Sequence, residues 1–265
     1  MVSGANDRWV MHGVEGDMSD YQSPELAHLE EFVQPQPGVY VLSTDPSVIV
    51  YNALLLEEGN RPTGLQHMAD LAAADPGTFD GRLTTYDAAR NAFGLAEWWF
   101  TLEEMGDEGW EALAAVGPMM RMETSAGPMI EKIATGEYVA GIGLGGVTVF
   151  PRLEEEGAGI MEYAFPDDGT PVMFRGMGIP DNATSPNSAQ LMLDYLLSHA
   201  GQTRIGNAGL TPHREDVAED EVLYTYQEVV DLVGEENVIP VGFSEEMVKD
   251  AQAFAERWSE VTAPN

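Results

Sequence analysis

The chain has 265 residues, with 45 acidic side chains against 12 basic ones, a net charge of −33 and no cysteine. That length can bury one large core or two lobes. The composition excludes disulfides, thiolate metal sites and cysteine nucleophiles, and excludes nucleic acid as a partner, since a polyanion needs a basic face.

In chain order, "SPELAHLEEFV" (residues 23–33) predicts a helix capped by Ser23 with Pro24 at its first position. "VYVLSTDPSVIVYNALLL" (39–56) predicts two strands split by a turn at "STDPS". A short helix over "GLQHMADLAAADP" precedes the strand "GRLTTYD" (81–87), which runs into the helix "AARNAFGLAEWWFTLEEM". A second helix, "EGWEALAAVGPMM", follows, and Thr124 and Ser125 open a third in "TSAGPMIEKIATGEY". "VAGIGLGGVTVF" (139–150) reads as a strand with a glycine-rich exit, and "PVMFRGMGIP" (171–180) as another strand. An apolar helix ending "SHAGQ" comes next, then "YTYQEVVDLVGEENVIPV". The last helix, over "SEEMVKDAQAFAERWSEV", carries Met247, Ala251, Phe254 and Trp258 on one face. Of the adjacent Trp98 and Trp99, one is expected buried and one half-exposed. Strands alternate with helices throughout, so the fold class is α/β.

The acids are spread along the whole chain, in runs such as "LEEEGAG" and "DVAEDEV", and there are two lysines, Lys132 and Lys249. That spread predicts a surface adapted to high salt, where screening removes the self-repulsion. No apolar run approaches the roughly 18 residues that span a bilayer. The start, "MVSGANDRWVMHG", shows neither the basic nor the apolar region of a signal peptide. The five histidines show no ligand spacing, and no metal site or cofactor is expected.

Several segments, taken in order, resemble the solute-binding proteins of ABC importers, of the ferric-iron-binding type. They are "DYQSPE" (20–25), "VLSTDPSVIVYN" (41–52), "KIATGEYVAGIG" (132–143), Gly178–Ile179–Pro180, the helix end Ser198, Gly201, Gln202, and Pro212, Arg214, Asp216, Val217. The resemblance covers nearly the whole chain. It implies a two-lobed type II periplasmic-binding-protein fold with an incomplete first lobe, because the family's opening βαβ segment and export signal are missing. The implied division is residues 1–50 for the rest of lobe 1 and the hinge strand, 51–168 for lobe 2, 169–217 for the return to lobe 1, and 218–265 for a C-terminal helical segment packing on lobe 2. The resemblance further implies a monomer outside the cytoplasmic membrane, attached through a signal or lipid anchor not in this chain, and working with a permease and its ATPase. Iron-binding members carry two adjacent tyrosines where this chain has Val147 and Thr148. Hard Fe³⁺ prefers anionic oxygen, so the ligand is expected to be iron held in a non-standard way or a small anionic solute such as a phosphonate.

Ligands of this fold sit at the hinge, and anions are held by N–H groups at helix starts. Thr85, Tyr86 and Asp87 lie at one strand-to-helix junction, Thr124 and Ser125 at another, and Gly145, Gly146 and Thr148 at a third. Arg175, on the returning strand, can grip an oxyanion bidentately. Each has a plainer reading: Thr124, Ser125 and Asp87 as caps, the glycines as turn residues, Tyr86 as core, and Arg175 as half of a surface ion pair. No nucleophile elbow or G-x-S-x-G is present, so an enzyme is the weakest reading and a sensory or receptor-associated domain of the same fold is the alternative.

Overall fold

One strand ties the fold together. The computed structural model describes residues 1–154 and 159–264, so the run "LEEEGAG" lies partly outside the described residues. β1 is Val2–Ser3, and β2 (Val39–Asn52) is 14 residues long and buried from end to end. β3 (Leu83–Tyr86), β4 (Met120–Glu123), β5 (Ala140–Gly145), β6 (Met161–Ala164), β7 (Thr170–Gly178) and β8 (Val238–Val241) follow. As far as Pro46, β2 pairs antiparallel with β7; from Ser47 it pairs with β5, and from Ile49 also with β6. The two strands expected at "STDPS" are therefore one. Pro46 is tolerated because it stands where the strand changes partners, and there a missing N–H costs the ladder least. The pairing order is β1-β7-β2-β5-β3-β4, with β6 on β2 and β8 on β7, an open mixed sheet.

The helices are α1 (Asn6–Glu15), α2 (Leu65–Ala74), α3 (Pro76–Phe79), α4 (Ala92–Val116), α5 (Ala126–Ala134), α6 (Gly146–Glu154), α7 (Pro186–Leu197), α8 (His199–Gly206), α9 (Tyr226–Val233) and α10 (Glu245–Val261). Four expectations change. Residues 23–33 form two 3-10 turns, Pro24–His28 and Glu31–Val33, interrupted where Leu29 turns extended. That break lets Leu26, Leu29 and Phe32 all pack on the core beside β2 and β7. "GVTVF" is helical: the Val147 N–H donates to Asp45 at 2.9 Å, which ends β5 and starts α6 despite the β-branched residues. The "SHAGQ" helix is two helices, because Ser198 leaves helical geometry and caps the second by accepting from the Gly201 N–H. Trp98 and Trp99 are both buried, at 2 and 6 % exposure.

Tertiary packing accounts for the second tryptophan and for the C-terminus. α4 consists of two helical stretches meeting at Gly106, whose φ of 60° favours glycine. α10 lies along it: Trp258 meets Trp98 at 5.2 Å between ring centroids, and Phe254 meets Trp110 at 5.4 Å. Met247, Phe254 and Trp258 are buried as the helical spacing predicts, while Ala251 is half-buried.

Candidate ligand cleft

The partner change in β2 places Asp45 at the junction of the two pairing systems. It is fully buried, and its carboxylate accepts from Arg175 Nε at 2.9 Å, from Arg175 Nη2, and from the Val147 N–H that opens α6. The α6 start is thus already occupied by an internal anion, as a helix dipole favours. Gly145 has to be glycine here, since a Cβ would stand 2.8 Å from Asp45 Oδ2. Gly4 is held close from the opposite side, where a Cβ would lie 3.1 Å from Arg175 Nη1.

Arg175 is 22 % exposed at its side chain, and it borders a cleft of about 560 Å³. The starts of four helices line this cleft: Gly4 and Ala5 before α1, Asn91 to Phe93 at α4, Thr124 to Gly127 at α5, and Thr148 in the first turn of α6. Arg152 completes it. No carboxylate lines the cleft among the described residues. Ser125 holds the cap position of α5, yet its side chain makes no capping bond. The first N–H groups of α5 therefore lack that partner, and such groups are what an oxyanion would take. Phe93 lies under the Arg175 guanidinium at 5.6 Å and packs against Tyr86 at 5.2 Å.

The structure brings Tyr86, Thr124, Ser125, Thr148 and Arg175 to this one cleft and places the other four candidates outside its lining. Thr85 is fully buried, and its Oγ1 accepts from the Trp98 indole at 3.0 Å. Asp87 accepts from the Ala89 N–H in a local turn, and Asn91, not Asp87, caps α4 by accepting from Gly94 at 2.7 Å. Gly145 faces Asp45, and a Cβ on Gly146 would lie 2.4 Å from the Phe150 ring. Burial, reinforced by the neighbouring acids Glu97 and Asp45 and opposed by Arg175 and by the Ala126 N–H, raises the Tyr86 phenol and keeps it protonated. The surface pairing suggested for Arg175 becomes a pairing with a buried acid.

Sequence reasoning missed Gly4, Ala5, Asn91, Phe93, Arg152 and Asp45. Asn91, directly before an apolar run, carries a readable cap signal; the remainder are assembled by tertiary contacts alone. Another grouping also escaped it: His12, Glu15 and Asp17 at the end of α1 bring their ligand atoms within 4.8 Å of one another, with His12 half-buried and the two acids exposed. Their spacing spans a helix end and the left-handed Gly16 beyond it.

A family model described as bacterial extracellular solute-binding protein matches residues 18–211, more than half of the chain. The chain belongs to this family. Solute-binding proteins are not enzymes; those of ABC importers act outside the cytoplasmic membrane with a permease and an ATPase. Among solved structures, this solute-binding protein resembles the substrate-binding protein of an ABC transporter from Agrobacterium tumefaciens. The identity is 21 %, the TM-score 0.88, and the alignment covers 98 % of this chain and 77 % of that one. Iron-bound HitA from Pseudomonas aeruginosa matches at 15 % identity and a TM-score of 0.74, covering 97 % and 81 %. The apo ferric ion-binding protein A of Pasteurella haemolytica matches at 17 % and 0.74, covering 98 % and 81 %. These likenesses establish the periplasmic-binding-protein-like fold. No curated protein matches the chain. No helix among the described residues is long and apolar enough to cross a membrane.

Proposed function

We propose that this solute-binding protein captures a small oxyanion, such as a phosphonate, phosphate or carboxylate, in the cleft beside Arg175 and delivers it to an importer. One observation carries the reading. In a chain with 45 acids, the cleft has no carboxylate in its lining among the described residues and gathers two arginines and four helix starts. Each helix start offers partial positive charge, and each guanidinium offers a bidentate fork. Capture works by closure of one lobe, residues 1–50 and 169–217, on another, residues 51–168, about the crossing strands β2 and β7; residues 218–265 stay with the second lobe, the molecule acts as a monomer, and its acidic surface is adapted to high salt. Ferric iron is the second reading, since one neighbour is described as iron-bound and another as ferric ion-binding. Against direct tyrosinate ligation stand Val147 and Thr148 at the tyrosine positions and the protonated phenol of Tyr86.

The test is calorimetric titration of the full chain with methylphosphonate, inorganic phosphate, acetate and ferric citrate. Arg152→Gln should weaken the bound anion by about 1.5–3 kcal/mol, the range for a hydrogen bond to a charged group. Arg152 suits the experiment because it is exposed. Arg175→Ala is the wrong probe, since it strands the buried Asp45 carboxylate and should cost about 3–5 kcal/mol of stability before any ligand is added. Unchanged anion affinity in Arg152→Gln, or binding of ferric citrate alone with a tyrosinate-to-iron absorption band, would remove the oxyanion reading.

A further inference from the structure

The turn that ends α1 carries a second set of donor atoms, away from the cleft beside Arg175. His12 and Glu15 stand three residues apart on α1 and so share a face. The left-handed Gly16 closes the helix, its N–H donating to the His12 carbonyl at 3.0 Å, and the chain returns so that Asp17 meets His12. The His12 Nδ1 stands 3.0 and 3.1 Å from the two Asp17 carboxylate oxygens. The ligand atoms of His12, Glu15 and Asp17 all lie within 4.8 Å of one another.

Two features separate this trio from a chance meeting of acids. The chain has 45 acids and 5 histidines, yet among the described residues only this group brings three such donors together, and it includes an imidazole. Its parts are also held in place around a cavity. The His12 ring packs edge-on against the buried Trp9, with ring centroids 5.7 Å apart. Asp17 is tied from the other side: its carbonyl accepts from the Asp181 N–H at 2.9 Å, and the next residue, Met18, bridges to Pro180. A cavity of about 440 Å³ is lined by all three donors and by Asp181 and Asn182, and it shares no lining residue with the cleft beside Arg175. The His12 side chain is 23 % exposed, and its bond to Asp17 lies at the surface, where a solute can reach it.

One imidazole nitrogen with two carboxylates is a donor set for a borderline divalent ion such as Zn²⁺, whereas Mg²⁺ and Ca²⁺ prefer oxygen alone. Two ligands that are each about 2 Å from a zinc ion stand about 3–3.4 Å from one another, and His12 Nδ1 and Asp17 already match this spacing. Glu15 is exposed and closes on the ion by side-chain rotation. We propose that His12, Glu15 and Asp17 form a Zn²⁺ site, with a fourth position open to the cavity. The ion would clamp the last turn of α1 to the segment that follows it.

The test is calorimetric titration of Zn²⁺ into the full chain after treatment with a chelator. The ionic strength is one where circular dichroism shows the chain folded, and Mg²⁺ is in excess to saturate scattered carboxylates. One saturable Zn²⁺ site is expected. His12→Gln and Asp17→Asn should each weaken it at least tenfold, since even an outer partner of a metal ligand is worth about that much. Should His12→Gln lose folded structure through its contact with Trp9, Asp17→Asn carries the test, because the Asp17 side chain is 46 % exposed. Glu103→Gln/Glu104→Gln, an exposed acid pair on α4, should leave the affinity unchanged. Arg152→Gln should do the same, so this site and the oxyanion reading stand or fall separately. No Zn²⁺ heat in the presence of Mg²⁺, or a Zn²⁺ affinity that Asp17→Asn leaves intact, would overturn the proposal. So would equal losses in Asp17→Asn and the α4 pair, which would reduce the binding to diffuse charge attraction.

Discussion

Asp45 and Glu97 show how single residues set the chemistry of the junction. Both are buried acids, but Asp45 has a guanidinium and a helix N–H, whereas Glu97, 2 % exposed, leaves Oε2 without a partner. Burial drives the Glu97 carboxyl well above its usual range, and the Asp45 charge adds to this. The Ser47 hydroxyl opposes the rise, although its own Oγ makes no bond of good geometry. The native state therefore holds a proton that the unfolded chain releases above a pH of about 4.5. Rising pH then pulls the equilibrium toward the unfolded chain. Between about pH 5 and 8 the wild type should lose stability relative to Glu97→Gln, which keeps the shape and cannot ionise. Urea titrations of both chains across this range check it; a constant difference would mean that Glu97 does not bind that proton.

Among the elements, α10 was the most legible and α6 the least. Met247, Phe254 and Trp258 announce a buried face by spacing, and that face meets α4 through Trp98 and Trp110. Trp258→Ala should cost about 3–5 kcal/mol, the range for emptying a buried aromatic site, read as a lower denaturant midpoint. A shift below 1 kcal/mol would mean that α10 does not depend on this contact. For α6 the sequence offers Val147, Thr148 and Val149, which favour a strand, and the tertiary contact of the Val147 N–H with Asp45 overrides that preference. β2 was misread for a related reason: a proline inside a strand signals a turn unless the ladder is interrupted there, and local sequence does not show where a strand changes partners.

For the whole molecule, the charge of −33 is carried mostly at the surface, while no carboxylate among the described residues lines the cleft beside Arg175. Such a surface repels itself, and only screening relieves it. The melting temperature should rise steeply between dilute buffer and molar KCl. A flat profile in differential scanning calorimetry would remove the salt-adaptation reading.

By itself the sequence determined the α/β class, the order of most elements, the exclusion of thiol and nucleic-acid chemistry, and a set of hydroxyl and glycine positions at helix starts. These follow from periodicity, composition and capping, which are local. The tertiary structure decided which of those positions share a cleft. It separated Thr85 and the two glycines from Tyr86, Ser125 and Arg175, and it added Arg152 and Asn91. It also joined Asp45 to Arg175, residues 130 apart in the chain. Charge pairing and burial at that distance depend on the register in which β2 and β7 pair, Ser43 opposite Arg175 and Asp45 opposite Met173, and no local pattern encodes that register.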